Sequence, residues 1–346
     1  MSLPLFWFAA IAVLWTGFFV LEGFDFGVGM LHRFLGRTDL ERRVYINSIG
    51  PFWDGNEVWL IVGGAAIFAA FPGWYATWFS AGYLALVVVL LALMARGVSF
   101  EYRGRRDTAR WREGWSWSLV AGSALLPLLL GVALGDLLAG LPVDSSQEFT
   151  GNFWDLLTPY GLFLGVTLLV LCIVHGATFL TLRTFDGLRD RAHGVARVMS
   201  WPALVLVLGY AVWTLSLSSA GFWWGTLPLL VAVASAALAV WFAQGGRREG
   251  AAFAATAVTI GVTVLSLFTN LYPDVLVSST SSAYDLTVAG TASSHYALQV
   301  MTIVALVFVP LVLLYQGWTF VVFRRRIGLP PGSVDVPHST DQGAPV

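Results

Sequence analysis

The sequence predicts an all-α polytopic membrane protein, and three observations carry that prediction. Of its 346 residues 57% are hydrophobic and only 11% charged, against about a quarter charged in an ordinary soluble domain. The apolar residues gather into nine runs, each long enough to cross about 30 Å of hydrocarbon as a helix. All nineteen basic residues are arginine, and they fall only in alternate connections or at the last turn of a span entering one. A net charge of −1, with no basic face outside those connections, excludes nucleic acid as a partner.

The spans fall near 5–31, 50–71, 77–97, 116–139, 159–182, 200–218, 222–243, 251–271 and 298–323. The first lacks a basic leader and a small-residue cleavage site, so it is expected to be retained rather than removed as a signal peptide. A loop of about 18 residues with Arg33, Arg37, Arg42 and Arg43 follows it. Arg96, Arg103, Arg105, Arg106, Arg110 and Arg112 follow span three; Arg183, Arg189, Arg191 and Arg197 follow span five; Arg247 and Arg248 follow span seven; Arg324, Arg325 and Arg326 follow span nine. The other connections carry acids only, such as Asp144, Glu148, Asp155, Asp274 and Asp285. Arginine excess marks the cytoplasmic side, so the N-terminus is expected outside and the C-terminus in the cytoplasm.

Within this frame Pro127, Pro202, Pro228 and Pro310 are expected to bend their helices. Trp7, Trp74, Trp78, Trp115, Trp117, Trp223 and Trp224, near span ends, suit interfacial belts. The single cysteine, Cys172, lies within span five, where packing is its expected role, and it leaves no intramolecular disulfide to form. The outer loops 140–158 and 272–297 are rich in Ser, Thr, Gly and Pro, suited to turns that cover one mouth of the bundle. Residues 327–346, Pro/Gly-rich and polar, are expected to be disordered. That leaves 1–326 as one transmembrane domain.

Carboxylates stand where they cost most. Glu22 and Asp25 lie in LEGFDFGVGM, and Asp54 and Glu57 in FWDGNEVWLIV. An ionised acid at the centre of a membrane helix costs roughly 2.5–3.5 kcal/mol even on gentle insertion scales, so such acids are normally paired, hydrated or used. Residues three apart share a helix face. Asp25 and Glu22 lie six and nine residues before the inner end near Leu31, about 9 and 13 Å deep at about 1.5 Å per residue. Asp54 enters from the same side, so the acidic edges are expected to converge in the inner half of the membrane, with Asn47, Ser48 and Asn56 adding hydrogen-bonding groups. A cytoplasm-facing proton path through Asp54, Asp25, Glu22, Asn56 and Glu57 is the functional reading. Pairing with arginine or backbone donors across an interface is the structural alternative, and for Glu57 a loop-facing place is another. Asp136, at the outer end of span four, reads as an interfacial residue. Gly23, Gly27, Gly29 and Gly55 permit close helix approach beside the acids. Of five histidines only His175 lies within a span, and without a second histidine at ligand spacing or a Cys-His cluster it is a weak haem-ligand candidate.

Taken together, GFDFGVGML (23–31), RRVYINSIGPFWDGNEVWLI (42–61), EYRGRRDTARWR (101–112), TGNFWDLLTPYGL (150–162), HGATFLTLRT (175–184), YPDVLVSSTS (272–281) and VMTIVALVFVPLVLLY (300–315) resemble subunit II of the cytochrome bd-type quinol oxidases nearly end to end. The resemblance implies nine spans arranged as two four-helix bundles plus one extra helix. It implies a partner, subunit I, that holds haem b, haem d and the quinol-oxidising site of a complex in the bacterial cytoplasmic membrane. That complex takes electrons from the quinol pool and reduces dioxygen to water, and small accessory subunits and membrane lipids are further expected partners. It implies proton delivery through Asp54, an apolar dioxygen route at Trp59, and a structural quinone or lipid in this chain. Glu57 stands where members can carry Gln, and the connection between spans six and seven is short. The competing readings are a proton-coupled secondary transporter, which inverted repeats and a broken-helix site would mark, and a scaffolding partner whose acids are salt-bridged.

Overall fold

The computed structural model describes residues 2–218, 220–246 and 248–329. Its helices are α1 (Leu3–Leu35), α2 (Asp39–Ile49), α3 (Trp53–Ala70), α4 (Pro72–Ala81), α5 (Tyr83–Tyr102), α6 (Ala109–Ala139), α7 (Pro159–Arg183), α8 (Asp186–Leu217), α9 (Leu227–Gly245), α10 (Glu249–Leu271) and α11 (His295–Val322). Among the described residues, eight are long and apolar enough to cross a membrane: α1, α5 to α8, α9 with the π-helical turn Phe222–Thr226 before it, α10 and α11. The run expected at 50–71 is α3, which falls outside that set because Asp54, Asn56 and Glu57 crowd its first five residues. The run at 77–97 is split at Gly82 into α4 and α5.

Three expectations need correction. The 18-residue inner loop contains α2: Thr38 caps it by accepting from Glu41 N at 3.2 Å, and Val44, Tyr45, Ile46 and Ile49 form its buried stripe. Helix α8 starts at Asp186, not near 200, because Leu188, Ala192, Ala196, Ser200 and Ala203 keep one face buried through a charged stretch. Trp7, Trp74 and Trp78 are core residues, not belt anchors. Trp74 and Trp78 stack at 5.9 Å, Trp78 meets Trp15 at 5.8 Å, and Trp7 Nε1 donates to Thr302 Oγ1 at 3.0 Å. Trp117, Trp223 and Trp224 remain exposed.

Helix α1 is central, packing against α3, α6, α7 and α10. Helix α5 lies on α6, α6 on α7, and α7 to α10 pack among themselves, whereas α11 rests on α1 and α3 with most of its length exposed. The α1–α7 crossing is backbone to backbone. A Cβ on Gly27 would stand 2.0 Å from Cys172 O, and one on Gly176 would stand 2.5 Å from Gly27 Cα, the kind of approach that small residues permit in membranes. Cys172 is buried in that seam. Helices α3 and α5 instead diverge around an apolar cleft of about 570 Å³ lined by α3 to α6, with Trp15 of α1 on its wall.

Seven of the arginines at one end are tied into ion pairs. Glu113 holds Arg33 and Arg42, Asp39 holds Arg103 and Arg112, Glu41 holds Arg191, and Glu249 holds Arg189 and Arg326. At the opposite end, β1 (Asp274–Leu276) pairs antiparallel with β2 (Leu286–Thr287). Leu141, Val143, Val275, Leu276, Leu286 and Val288 are buried beneath these loops. Gly140 ends α6 at φ +96°, a conformation side chains rarely adopt, which turns the chain toward Ser279. Of the tail expected to be disordered, Ile327 N donates to Arg183 O at 2.7 Å, and residues from 330 onward lie outside the described residues.

Gly176→Val should cost about 3 kcal/mol or prevent accumulation, because overpacking a seam with no room forces the helices apart. Gly194→Ala, with nothing within 4 Å of the new Cβ, should leave the melting temperature unchanged; equal behaviour of the two in detergent would overturn this reading of the crossing. Burial opposes ionisation of Glu41, but the Arg191 guanidinium and the N–H groups of Arg37 and Thr38 outweigh it and hold this carboxyl below its ordinary value of 4.5. A lowered folded value contributes stability above the ordinary value that is lost as pH falls through the folded one. Glu41→Gln should therefore flatten the acid limb of a melting-temperature profile below about pH 5 and leave the neutral region parallel to wild type.

Candidate functional site

The acids of α1 and α3 meet around an arginine. Arg96 of α5 is 0% exposed and ion-paired with Glu22 of α1, while its Nη1 donates to Glu57 Oε2 of α3 at 3.1 Å. Its guanidinium lies over the rings of Phe26, Phe100 and Trp53 at 5.0, 5.4 and 5.9 Å. Such cation–π contacts stabilise a desolvated cation by about 2 kcal/mol each at best. Asp25, one turn from Glu22 and equally buried, takes a different partner: Asn56 Nδ2 donates to its Oδ2 at 2.7 Å and to Leu21 O at 3.1 Å. Asn56 Oδ1 accepts from Gln316 Nε2 of α11 at 2.9 Å, and Gln316 Oε1 accepts from Trp59 Nε1 at 3.0 Å. Arg96, Glu22, Asp25, Asn56, Gln316 and Trp59 thus form a polar chain crossing α5, α1, α3 and α11 inside the arginine-rich half.

Satisfaction is incomplete. Both oxygens of Glu22, Asp25 Oδ1, and Arg96 Nε and Nη2 have no partner in hydrogen-bonding geometry among the described residues. Glu22 Oε1 and Arg96 Nη2 face each other in the ion pair, which leaves Glu22 Oε2, Asp25 Oδ1 and Arg96 Nε without either kind of partner, at a cost of about 1–3 kcal/mol for each buried polar atom left unpaired.

Of the residues that the sequence singles out, Glu22, Asp25, Asn56 and Glu57 come together. Asp54 does not join them: it sits in the first turn of α3 on the exposed side of this chain. Trp59 lies between α1 and α11, its ring against Gly17, and outside the residues lining the apolar cleft. Asp136 is buried, not interfacial, and accepts from Thr158 Oγ1 at 2.6 Å where α7 begins. His175 has both ring nitrogens engaged, Nδ1 with Thr256 Oγ1 at 2.7 Å and Nε2 with Val20 O at 3.1 Å, and it stacks on Phe253 at 4.5 Å. That arrangement does not fit an axial haem ligand, and no His, Cys, Asp and Glu cluster suited to a metal occurs among the described residues.

Sequence reasoning missed Arg96 and Gln316 as members of the site. Arg96 reads as a marker of the inner side, yet it lies within the run 77–97; an arginine inside apolar LLALMARGVSF needs a counter-charge as much as the acids do. Gln316, a lone amide in VPLVLLYQGWTF, carries the same signal more faintly.

Comparison with known proteins gives consistent results. A family model described as cytochrome bd terminal oxidase subunit II matches residues 3–323. The chain is 45% identical to cytochrome bd ubiquinol oxidase subunit 2 of Bacillus subtilis (strain 168), covering 93% of this chain and 96% of that one. It is 38% identical to cytochrome bd-I ubiquinol oxidase subunit 2 of Escherichia coli (strain K12), covering 93% and 94%. Its fold is similar to a chain in the structure of bd oxidase from Geobacillus thermodenitrificans, with a TM-score of 0.76 at 15% identity, covering 93% of this chain and 99% of that one.

Breaking a buried ion pair by removing one partner costs about 3–5 kcal/mol. Arg96→Gln should therefore lower the melting temperature sharply, and Glu22→Gln in the same chain should restore part of the loss. A double variant as unstable as the sum of the two single ones would show that the pair is not coupled.

Proposed function

The chain belongs to the cytochrome bd terminal oxidase subunit II family, and from that premise we propose that its acid cluster carries protons from the cytoplasm toward the oxygen-reducing centre of the complex. It is a subunit of a quinol oxidase, an oxidoreductase complex with haem cofactors, and a multi-pass protein of the bacterial cytoplasmic membrane. The transporter reading finds no support in these relationships.

The observation that carries the proposal is the excess of buried carboxylates over cations. Glu22 and the half-buried Glu57 share the one guanidinium of Arg96, while Asp25, fully buried a turn away, is held by Asn56 instead. A low-dielectric interior resists two surplus negative charges, so protons resident in the cluster balance it, and a proton lost to one side is drawn again from the other. Asn56 holds Asp25 and, through Gln316, fixes α11 against α3. Asp54, a turn away on the exposed side of α3, is placed to pass protons to the partner subunit, in which we locate haem b, haem d and quinol oxidation. With α3 counted, nine spans cross the membrane with the arginine-rich end in the cytoplasm: α1, α3, α5 and α6 form one bundle, α7 to α10 the second, and α11 the extra helix.

Dioxygen reduction to water consumes four electrons and four protons. With protons taken up on the inner side and released outside on quinol oxidation, charge separates without a pump. Trp59 stands beside the dioxygen route, and the cleft between α3 and α5 suits the acyl or isoprenoid chain of a lipid or structural quinone. Small accessory subunits find exposed apolar surface on α11.

Asp54→Asn in the purified complex should lower quinol-driven oxygen consumption by about 10²-fold or more, on the scale of losing an acid–base group, while the reduced-minus-oxidised haem spectrum stays unchanged. Wild-type turnover in an assembled Asp54→Asn complex would remove Asp54 from the path.

A further inference from the structure

A row of unpartnered polar atoms leads from the arginine-rich end to the acid cluster, and it begins at a histidine that the proton path described above does not use. His32, three residues before the end of α1, is 0% exposed. Its Nδ1 lies 2.7 Å from Gly29 O. A carbonyl only accepts, so Nδ1 carries the hydrogen, and in the neutral ring Nε2 is left with a free lone pair. That Nε2 has no partner. Gly29 lies between His32 and Asp25 on the same helix face, at three and four residues' distance. Against it stands Ser123 of α6, whose Oγ would be 2.1 Å from a Cβ at Gly29 and is likewise unpartnered. Next along α1 comes Asp25 Oδ1, unpartnered again. Three such atoms follow one another over about 10 Å of helix axis at about 1.5 Å per residue.

We infer that His32 is the cytoplasmic inlet of the proton path, handing protons along the α1–α6 seam past Ser123 to Asp25. An N–H bond forms at Nε2 as the incoming O–H bond breaks; the same N–H then breaks as the proton passes to the Ser123 side and on to Asp25 Oδ1, leaving the ring neutral. The charged groups around the ring are Arg33 of α1, Arg42 of α2 and Arg103 at the end of α5. Each has a carboxylate partner, though a shared one: Glu113 of α6 pairs with Arg33 and Arg42, and Asp39 of α2 with Arg103 and Arg112. A proton at His32 therefore meets cations that Glu113 and Asp39 screen only in part, each of these carboxylates being shared by two arginines. Ser116, seven residues before Ser123 on α6, accepts from Arg103 Nε at 2.8 Å and marks the mouth of the seam.

This inference rests on the proton-delivery reading above, and its test separates the two. In the purified complex, His32→Asn keeps a donor where Nδ1 sits and His32→Gln an amide where Nε2 sits, but neither side chain titrates. Both should lower turnover by about tenfold, below the 10²–10⁴ lost with a true acid–base group because water can substitute in part. KM for quinol and the haem spectrum should be unchanged, the solvent deuterium isotope effect larger, and the pH profile of turnover altered. Wild-type turnover and pH profile in both variants would overturn the inlet; if Asp25→Asn slows the same assay, the acid-cluster reading survives alone, and if it does not, both fall. Should neither His32 variant assemble, Ser123→Ala carries the test, since it removes a single Oγ, and wild-type turnover there would equally overturn the seam.

Discussion

The buried pairing of Arg96 with Glu22 and Glu57 is the constraint on which the rest of the arginine-rich half depends. A guanidinium at that depth is tolerated only with carboxylate and aromatic partners, so α5 must approach α1 even though α5 and α3 diverge further along. The same pairing brings Glu57, and with it the first turn of α3, against α1. Asn56 then falls within reach of Asp25, and Gln316 within reach of Asn56. One cation therefore sets the relative positions of four helices, and α11, otherwise a largely exposed rod, is held by Gln316 against Asn56 and Trp59 and, toward its start, by Thr302 against Trp7.

Much of the helical frame was legible because apolar run length and arginine placement are direct physical requirements of a bilayer. The ends of α6 at Ala139, α7 at Pro159 and α10 at Leu271 coincide with the expected limits, since Gly140, Thr158 with Pro159, and Tyr272 with Pro273 are strong local stops and starts. What hydropathy could not convey was helix outside the apolar runs. Helix α2 and the first fourteen residues of α8 are polar on one side and owe their existence to a narrow buried stripe and to ion pairs with distant segments, Glu41 with Arg191 and Arg189 with Glu249. The tryptophans misled for a related reason. Closeness to a span end is one-dimensional, and Trp74 and Trp78 lie on the face of α4 that turns inward to stack with Trp15.

The candidate site was legible as chemistry and not as geometry. That Glu22, Asp25, Asn56 and Glu57 belong together followed from spacing and cost. Which of them pairs with arginine did not, because the partner arrives from α5, some forty residues along the chain from Glu57, and shares no motif with it. Asp54 shows the converse: three residues from Glu57, it nevertheless points away from the cluster, because the last carboxylate to find a cation holds its helix in one rotation and leaves its neighbour on the other side.

The two ends of the molecule differ in a way that gives the cluster a direction. At the arginine-free end, Leu141, Val143, Val275, Leu276, Leu286 and Val288 close over the helices, with Phe71, Trp74 and Leu137 buried among them, and buried polar groups there, Asp136 and Ser278, are bonded to Thr158 and Val143 O. At the arginine-rich end the α1–α6 seam holds His32, Ser116 and Ser123, and the cations beside it share the carboxylates of Glu113 and Asp39. Protons exchange along hydrogen-bonding groups and not through packed hydrocarbon, so on the proposed path the cluster is supplied from the arginine-rich end.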